Sequence, residues 1–348
     1  MLTRFFESLY NKVFVNIIVN NSSSEVYIEV CSKKGVLKHY QSSFETTTIN
    51  NEMLEFITSY TKESPYYYIT LLDTSKEQGV IPTCDKHHLS FYHDISTSEH
   101  KCAHKNWSYY TSKIDLYDIE KRYADIGMDM VFSPFIVLAN FFKDKIDSHF
   151  AMYILITESA LCVIIFEESQ LLYGKYINMN YKQDNEESFL SDEIEEMDIS
   201  LEDESIDLDD IDADDDIEDI DELEALDDLD DFADIEDLDS IKDIDEFSKN
   251  RDVEEEFFER DEVFSESTND NFNEDYDRFT NIKNSLGNFY SDEKYESKFI
   301  ENVYIADAVG VTNDLKRYLE EEMFLNVYVR HIDLNIELLE LSKMEVKV

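Results

Sequence analysis

Glycine and proline are scarce, at 6 and 3 residues in a chain of 348. Loops that cradle phosphates need glycine where the backbone closes on the ligand, so the scarcity weighs against a glycine-rich nucleotide loop. Four cysteines (Cys31, Cys84, Cys102 and Cys162) are too few and too scattered for a disulfide framework, which points to a reducing compartment and hence the cytoplasm. Long apolar runs are also missing. None reaches the roughly 18 to 20 residues of a membrane-spanning helix, and polar breaks in Met1–Val19 spoil a signal-peptide reading, so the chain is not expected to cross a bilayer. Basic patches interleaved with aromatics are absent, and a formal net charge of -51 repels phosphate backbones, which argues against direct nucleic-acid binding. Most histidines fall in one loop, leaving only His39, His149 and His331 outside it, and carboxylates are too abundant to single out a pair. No catalytic residue and no cofactor-binding residue is assigned on this basis.

The charge is concentrated. Residues 184–277 hold 46 of the 81 acidic residues but 4 of the 30 basic ones, so the rest of the chain is only mildly acidic. From about Ser191 to Glu246 the sequence repeats Asp-Ile, Asp-Leu and Glu-Asp steps with Lys242 as its single cation. Self-repulsion is expected to keep such a stretch extended and disordered, because it cannot bury enough surface to offset its ordering entropy. Ile, Leu and Phe nevertheless recur every three or four residues, a pattern that can fold as a helix on a partner. Two readings stay open here: a solvating insert, and a partner-binding acidic motif.

The remaining sequence reads as alternating strands and helices. Val13–Val19, Glu25–Cys31 and Val36–Phe44 form a three-strand meander, followed by a helix at Asn51–Thr61 and a strand at Tyr66–Leu72. A Cys/His-rich loop at 82–106 comes next. After it the pattern predicts a strand at Trp107–Ser112, a helix at Leu116–Ile126, a strand at Met128–Phe132 and a helix at Pro134–Phe142. A second meander then follows at Ala151–Thr157, Leu161–Phe166 and Leu171–Ile177. Beyond the acidic stretch lie a helix at Tyr276–Tyr290, a strand at Asn302–Ile305, a helix at Asn313–Phe324 and a strand at Asn326–His331. A repeated βββαβα unit is the layout of the actin and ribonuclease-H-like α/β class. The halves are expected at 1–145 and at 146–183 with 278–348, and the acidic insert at 184–277.

The loop Cys84-x-x-His87-His88, His93, His100-x-Cys102-x-His104 gathers soft metal ligands. Cys84, His87, Cys102 and His104 could saturate a tetrahedral zinc ion, although the spacing matches no standard finger; a surface-exposed histidine loop with two nearby thiols is the other reading.

The sequence resembles the cytoplasmic actin-like scaffolds of type IV pilus and type II secretion systems, the PilM and GspL type. The family's first phosphate turn, commonly Asp-x-Gly-Ser-x-Ser before a strand, looks like Asn20-Asn21-Ser22-Ser23-Ser24 between Val15-Asn16-Ile17-Ile18-Val19 and Glu25-Val26-Tyr27-Ile28-Glu29-Val30. The second resembles Tyr153–Glu158 with Leu171–Ile177 after it. The late helix and adenosine-side turn look like Ser285–Tyr290 and Val303–Gly310. The metal-orienting aspartate and phosphate-loop glycine of the first turn are missing, Thr157-Glu158 stands for the second Asp-x-Gly, and Gly310 alone remains near the usual glycine pair. Without these groups Mg-ATP loses its anchors, so ATP is not expected, and zinc is the one cofactor the residues could hold.

The resemblance implies a non-catalytic scaffold, peripheral at the inner membrane. It would capture the cytoplasmic amino-terminal segment of a single-pass membrane protein within a pilus, secretion, DNA-uptake or flagellar-motor machine. It would meet the membrane only through that partner and could form an oligomer in a ring. Phe5, Phe6 and Tyr10 could add a contact or pack in the core. The alternatives are an actin-like ATPase, and an acidic chaperone-like or nucleic-acid-mimic protein acting through its insert.

Overall fold

The computed structural model describes residues 10–103, 105–147, 149–179, 268–292, 298–311 and 313–346. Phe5, Phe6 and most of the acidic stretch lie outside them.

The first half opens with an antiparallel meander of β1 (Lys12–Val19), β2 (Ser24–Ser32) and β3 (Gly35–Phe44). Helix α1 (Asn51–Thr61) follows. Its start is fixed by Asn50, whose side chain accepts a hydrogen bond from the Met53 N–H, and its face is set by Met53 and Ile57, both buried. The chain then returns as β4 (Tyr66–Leu72), parallel to β1, and later as β8 (Met130–Phe132), parallel to β4, giving the strand order β3-β2-β1-β4-β8.

The second half repeats this plan. β9 (Ala151–Ile156), β10 (Ala160–Glu167) and β11 (Gln170–Asn178) form the meander, α6 (Thr268–Ser291) crosses over, and β12 (Asn302–Asp307), α7 (Asn313–Met323) and β13 (Asn326–His331) complete it. The order is β11-β10-β9-β12-β13, with β9, β12 and β13 parallel. Two sheets with one antiparallel and one parallel flank in the same order are the duplicated actin-like fold, and this strand order carries the assignment. α6 begins at Thr268, ahead of the expected helix start, so the end of the acidic stretch is helical. There Arg278 engages Asp275 at 2.7 Å and Glu274 at 2.9 Å, and Asp275 is fully buried.

β9 and β10 are covered on both faces, which explains their near-continuous apolar sequence. Tyr153, Leu155, Cys162, Ile164 and Phe166 face one core; Met152, Ile154, Leu161, Val163 and Ile165 face the other, beside α6 and α7. The first of these cores is shared between the halves. Into it comes α4 (Pro134–Phe141), apolar but for Asn140 and buried from Pro134 to Asn140, from the first half. From the second half comes α8 (Leu334–Val346), a helix the sequence pattern does not reveal. Asn16 Nδ2 donates to the Asn335 carbonyl at 2.8 Å, and Lys343 Nζ lies 2.5 Å from Glu29 Oε1, so α8 is tied to the first half's sheet. Each half therefore lends a helix to the other.

The segment between β4 and β8 is the main departure from expectation. The stretch 82–106, expected as a loop, carries α2 (Lys86–Leu89) and β6 (Ser98–Ala103). With β5 (Gln78–Ile81) and β7 (Trp107–Ser112), β6 makes a small antiparallel sheet of order β5-β7-β6, followed by α3 (Lys113–Arg122). Alternating small and polar residues in β6 hide its strand character, because its pairing with β7 supplies the hydrogen bonds that a solvated loop would take from water. α5 (Lys143–Ile146) is a single turn closing the first half.

Candidate functional site

In an actin-like protein the two meander turns and the loop after the second half's central parallel strand face one another across the cleft between halves. Here Asn20–Ser23 joins β1 to β2, Thr157–Ser159 joins β9 to β10, and Ala308–Val311 follows β12. Each carries hydrogen bonds from within the chain. Asn20 N–H donates to the Ser23 carbonyl at 2.8 Å, which tightens the first turn. In the second, Thr157 Oγ1 donates to the Ala160 carbonyl and accepts from the Ala160 N–H, each at 3.1 Å. The two turns then touch: Asn21 Nδ2 donates to the Glu158 carbonyl at 3.4 Å.

The third turn has a row of backbone N–H groups of the kind that binds anions. Its own carboxylate fills it. Asp307 Oδ1 accepts from Val309 N–H (3.0 Å) and Gly310 N–H (2.9 Å), and Oδ2 accepts from Val311 N–H (2.9 Å). The other half of the resemblance, Ser285–Tyr290, lies inside α6. Leu286 and Phe289 pack in the second core, and Ser285 Oγ donates back to the Asn281 carbonyl at 2.8 Å.

What remains of the cleft, among Ile18, Asn20, Leu72, Asp73, Leu155 and Thr157, is about 10 Å³, close to the space of one water molecule. Ligand pockets run to about 300–1,000 Å³, well above this space. Asp73, just after β4, is buried and bonded within the chain. Its Oδ2 accepts from Thr111 Oγ1 at 2.6 Å and its Oδ1 from Ser75 N–H at 2.9 Å, while Gln78 Oε1, nearby, accepts from Ser133 Oγ.

A larger space lies on the other side of Asp73, between the small sheet and the first half. It measures about 240 Å³ and is lined by His100, Lys101, Tyr109, Thr111 and Val131. Burial pushes the Tyr109 hydroxyl up, with the Glu345 and Asp73 charges adding to it, and burial followed by the nearby His93 pulls the His100 imidazole down. Both side chains are therefore neutral near pH 7. Lys101 is held by Glu345 at 2.7 Å, and its ammonium sits over the Phe132 ring. A second recess of about 230 Å³ is floored by Trp107 and Phe166.

The zinc expectation meets a different arrangement. Cys84 and Cys102 are joined as a disulfide, with Cα atoms 5.4 Å apart. Sulfurs bonded to each other offer no thiolate, so in this state the pair does not fit zinc. The backbone N–H of His87 donates to Asp85 in α2, His104 lies outside the described residues, and no cluster of three or more metal-ligating side chains occurs among the described residues. The two thiols that the loop reading placed near each other are thus bonded, Cys31 and Cys162 remain free, and burial with the neighbouring Glu29 pushes the Cys31 thiol up to about 12. Asp307, which fills the third turn, was readable in outline as an Asp-x-x-Gly step after a strand; the Asn21–Glu158 contact, between residues far apart in sequence, was not.

The fold defines an actin-like protein, in which Asp307 fills the third turn and Asn21 links the first two. The chain belongs to the family described as Domain of unknown function (DUF8341), whose model matches residues 152–347; residues 10–139 match a second, Domain of unknown function (DUF8569). No curated protein matches it. Similar solved structures include a Bacteroides thetaiotaomicron protein with an actin-like ATPase fold and unknown function (10% identity, TM-score 0.48, 96% of this chain and 97% of that one). Another is a PilM-PilN type IV pilus biogenesis complex (9%, TM-score 0.46, 93% and 89%). A third is the activator of the 2-hydroxyisocaproyl-CoA dehydratase from Clostridium difficile with bound ADPNP (10%, TM-score 0.33, 97% and 98%).

Proposed function

We propose that this protein is a non-catalytic scaffold that uses an actin-like body for protein contacts rather than for nucleotide turnover. The observation that carries the reading is the contact between the two meander turns, where the exposed Asn21 Nδ2 reaches the Glu158 carbonyl at 3.4 Å. The filled turn at Asp307 supports it. The partner it would hold is the cytoplasmic amino-terminal segment of a single-pass inner-membrane protein in a pilus, secretion, DNA-uptake or flagellar-motor machine. The recess of about 240 Å³ beside Tyr109 and His100 has room for side chains of such a segment. The protein would then work in the cytoplasm, peripheral at the inner membrane, where reducing conditions would hold Cys84 and Cys102 as thiols rather than as the bond seen between them. No helix of the described residues is long and apolar enough to cross a membrane.

The test is thermal unfolding with and without Mg-ATP. A ligand that binds only the folded state raises the melting temperature by mass action, so the scaffold reading expects no shift at saturating nucleotide. A clear, concentration-dependent rise would transfer the reading to an actin-like ATPase. Crosslinking in native membranes followed by mass spectrometry tests the partner: recovery of a single-pass membrane protein is the expected result, and recovery of soluble proteins alone overturns it.

A further inference from the structure

In a chain of net charge -51, the fifteen residues from Val30 to Phe44 contain three lysines, Lys33, Lys34 and Lys38, and not one Asp or Glu. They form the turn between β2 and β3 and the first part of β3, the outer strand of its sheet. All three lysines are exposed, and among the described residues none is paired with a carboxylate. The nearest acid on the facing strand, Glu29, is buried and already engaged by Lys343.

Between the lysines stand Val36 and Leu37, 53% and 54% exposed. The β2–β3 pairing shifts register here, with Val36 opposite Cys31, Lys38 opposite Val30 and Leu37 left over as the extra residue of a bulge, and both aliphatic side chains stand in solvent. Pairing of Lys12 with both Cys31 and Tyr66 puts the β2–β3 turn at the same end of the sheet as Tyr10 and Tyr67, which are 51% and 41% exposed. One sheet end thus carries two aliphatic side chains, three free ammonium groups and two tyrosines. Aliphatic side chains favour hydrocarbon, lysines favour anionic headgroups, and tyrosine rings favour the boundary between them.

We propose that this end of the first sheet binds an anionic lipid surface directly, with Val36 and Leu37 entering the headgroup boundary and Lys33, Lys34 and Lys38 on the phosphates. This goes beyond the scaffold reading, in which the membrane is met through a partner, and does not depend on whether the cleft takes nucleotide. The acidic remainder of the chain does not forbid it, because charges more than about 10 Å from the surface are screened at 0.1 M salt.

The experiment is flotation of the full chain with vesicles of phosphatidylcholine alone and with vesicles of phosphatidylcholine and phosphatidylglycerol in equal parts. The chain is expected to float with the anionic vesicles only and to be released by salt. Replacing all three lysines (Lys33→Gln, Lys34→Gln, Lys38→Gln) should weaken partitioning by about a hundredfold. Val36→Ser with Leu37→Ser should weaken it by about tenfold while leaving the charge untouched. All five positions are exposed, so circular dichroism and melting temperature should match wild type. Failure of wild type to float, or wild-type binding by either variant, overturns the proposal. Capture of an acidic, leucine-rich peptide by a chain that ignores vesicles would overturn it in favour of strand addition to β3.

Discussion

The hydroxyls of Thr70 and Ser342 lie 2.8 Å apart, fully buried, and join β4 of the first half to the last helix of the second. Ser342 Oγ also donates to the Leu338 carbonyl at 2.7 Å, so the proton between the two hydroxyls comes from Thr70.

The two partners are therefore unequal. Ser342→Ala leaves the Thr70 hydroxyl buried with no acceptor and should cost about 1–3 kcal/mol, whereas Thr70→Val leaves Ser342 bonded to Leu338 and should cost about 1 kcal/mol or less. The double variant should be more stable than Ser342→Ala alone. Urea unfolding of the four proteins measures this coupling; additive losses would mean the hydroxyls do not depend on each other.

Gly174 of β11 marks the place where the small sheet meets the second half. A Cβ there would fall 2.3 Å from Val80 Cγ2 on β5, and valine has little freedom to turn away. Gly174→Ala should lower stability by about 1–3 kcal/mol, and Val80→Ala in the same chain should restore part of it. If Val80→Ala gives no relief, the crowding lies elsewhere.

Asp307 replaces an external anion with its own carboxylate. Asp307→Ala strips three N–H groups of their acceptor and should cost about 2–4 kcal/mol, with Asp307→Asn in between because one oxygen remains. Inorganic phosphate should raise the melting temperature of Asp307→Ala more than that of wild type. Equal responses would show that the emptied turn takes no anion.

Glu337 of α8 accepts from Asn140 Nδ2 at 2.9 Å. Burial raises its carboxyl above the ordinary glutamate range; Asn140 opposes the rise, the Glu340 and Asp333 charges add to it, and Lys143 offsets it. The folded state thus holds this proton more tightly than the unfolded state. Its contribution is complete below the unfolded value of about 4.3 and is lost as pH climbs through the raised folded value. Relative to Glu337→Gln, wild type should lose stability as pH rises through that window. Unfolding free energies across the range decide it, and a constant difference would remove Glu337 as the source.

The two meanders were legible because their strands announce themselves locally: β9 and β10 are apolar nearly without a break, and α1 carries its own cap at Asn50. The order of elements followed, since sequence-adjacent strands pair. Two parts were not legible. The residues Ser98–Ala103 of β6 are polar and become a strand only through pairing with β7. Leu334–Val346 carries apolar residues around much of its surface, because one side packs on the first sheet and another on α4, so it shows no clear helical stripe. The cleft was half legible. Missing glycines are visible in sequence, but that the turns are filled by Asn21 and Asp307 depends on contacts between distant residues.

Trp107, the chain's single tryptophan, is buried in the shared core between the small sheet and the second half, 5.9 Å from the Phe166 ring. Its fluorescence is therefore a native reporter on that seam, with no label to add. A partner that pries the small sheet from the second half should shift its emission to the red, while an event at the far lysine-bearing end of the first sheet should leave the spectrum unchanged. Docking at the recess that Trp107 floors and docking at the membrane can then be told apart, in the unmodified protein, by colour.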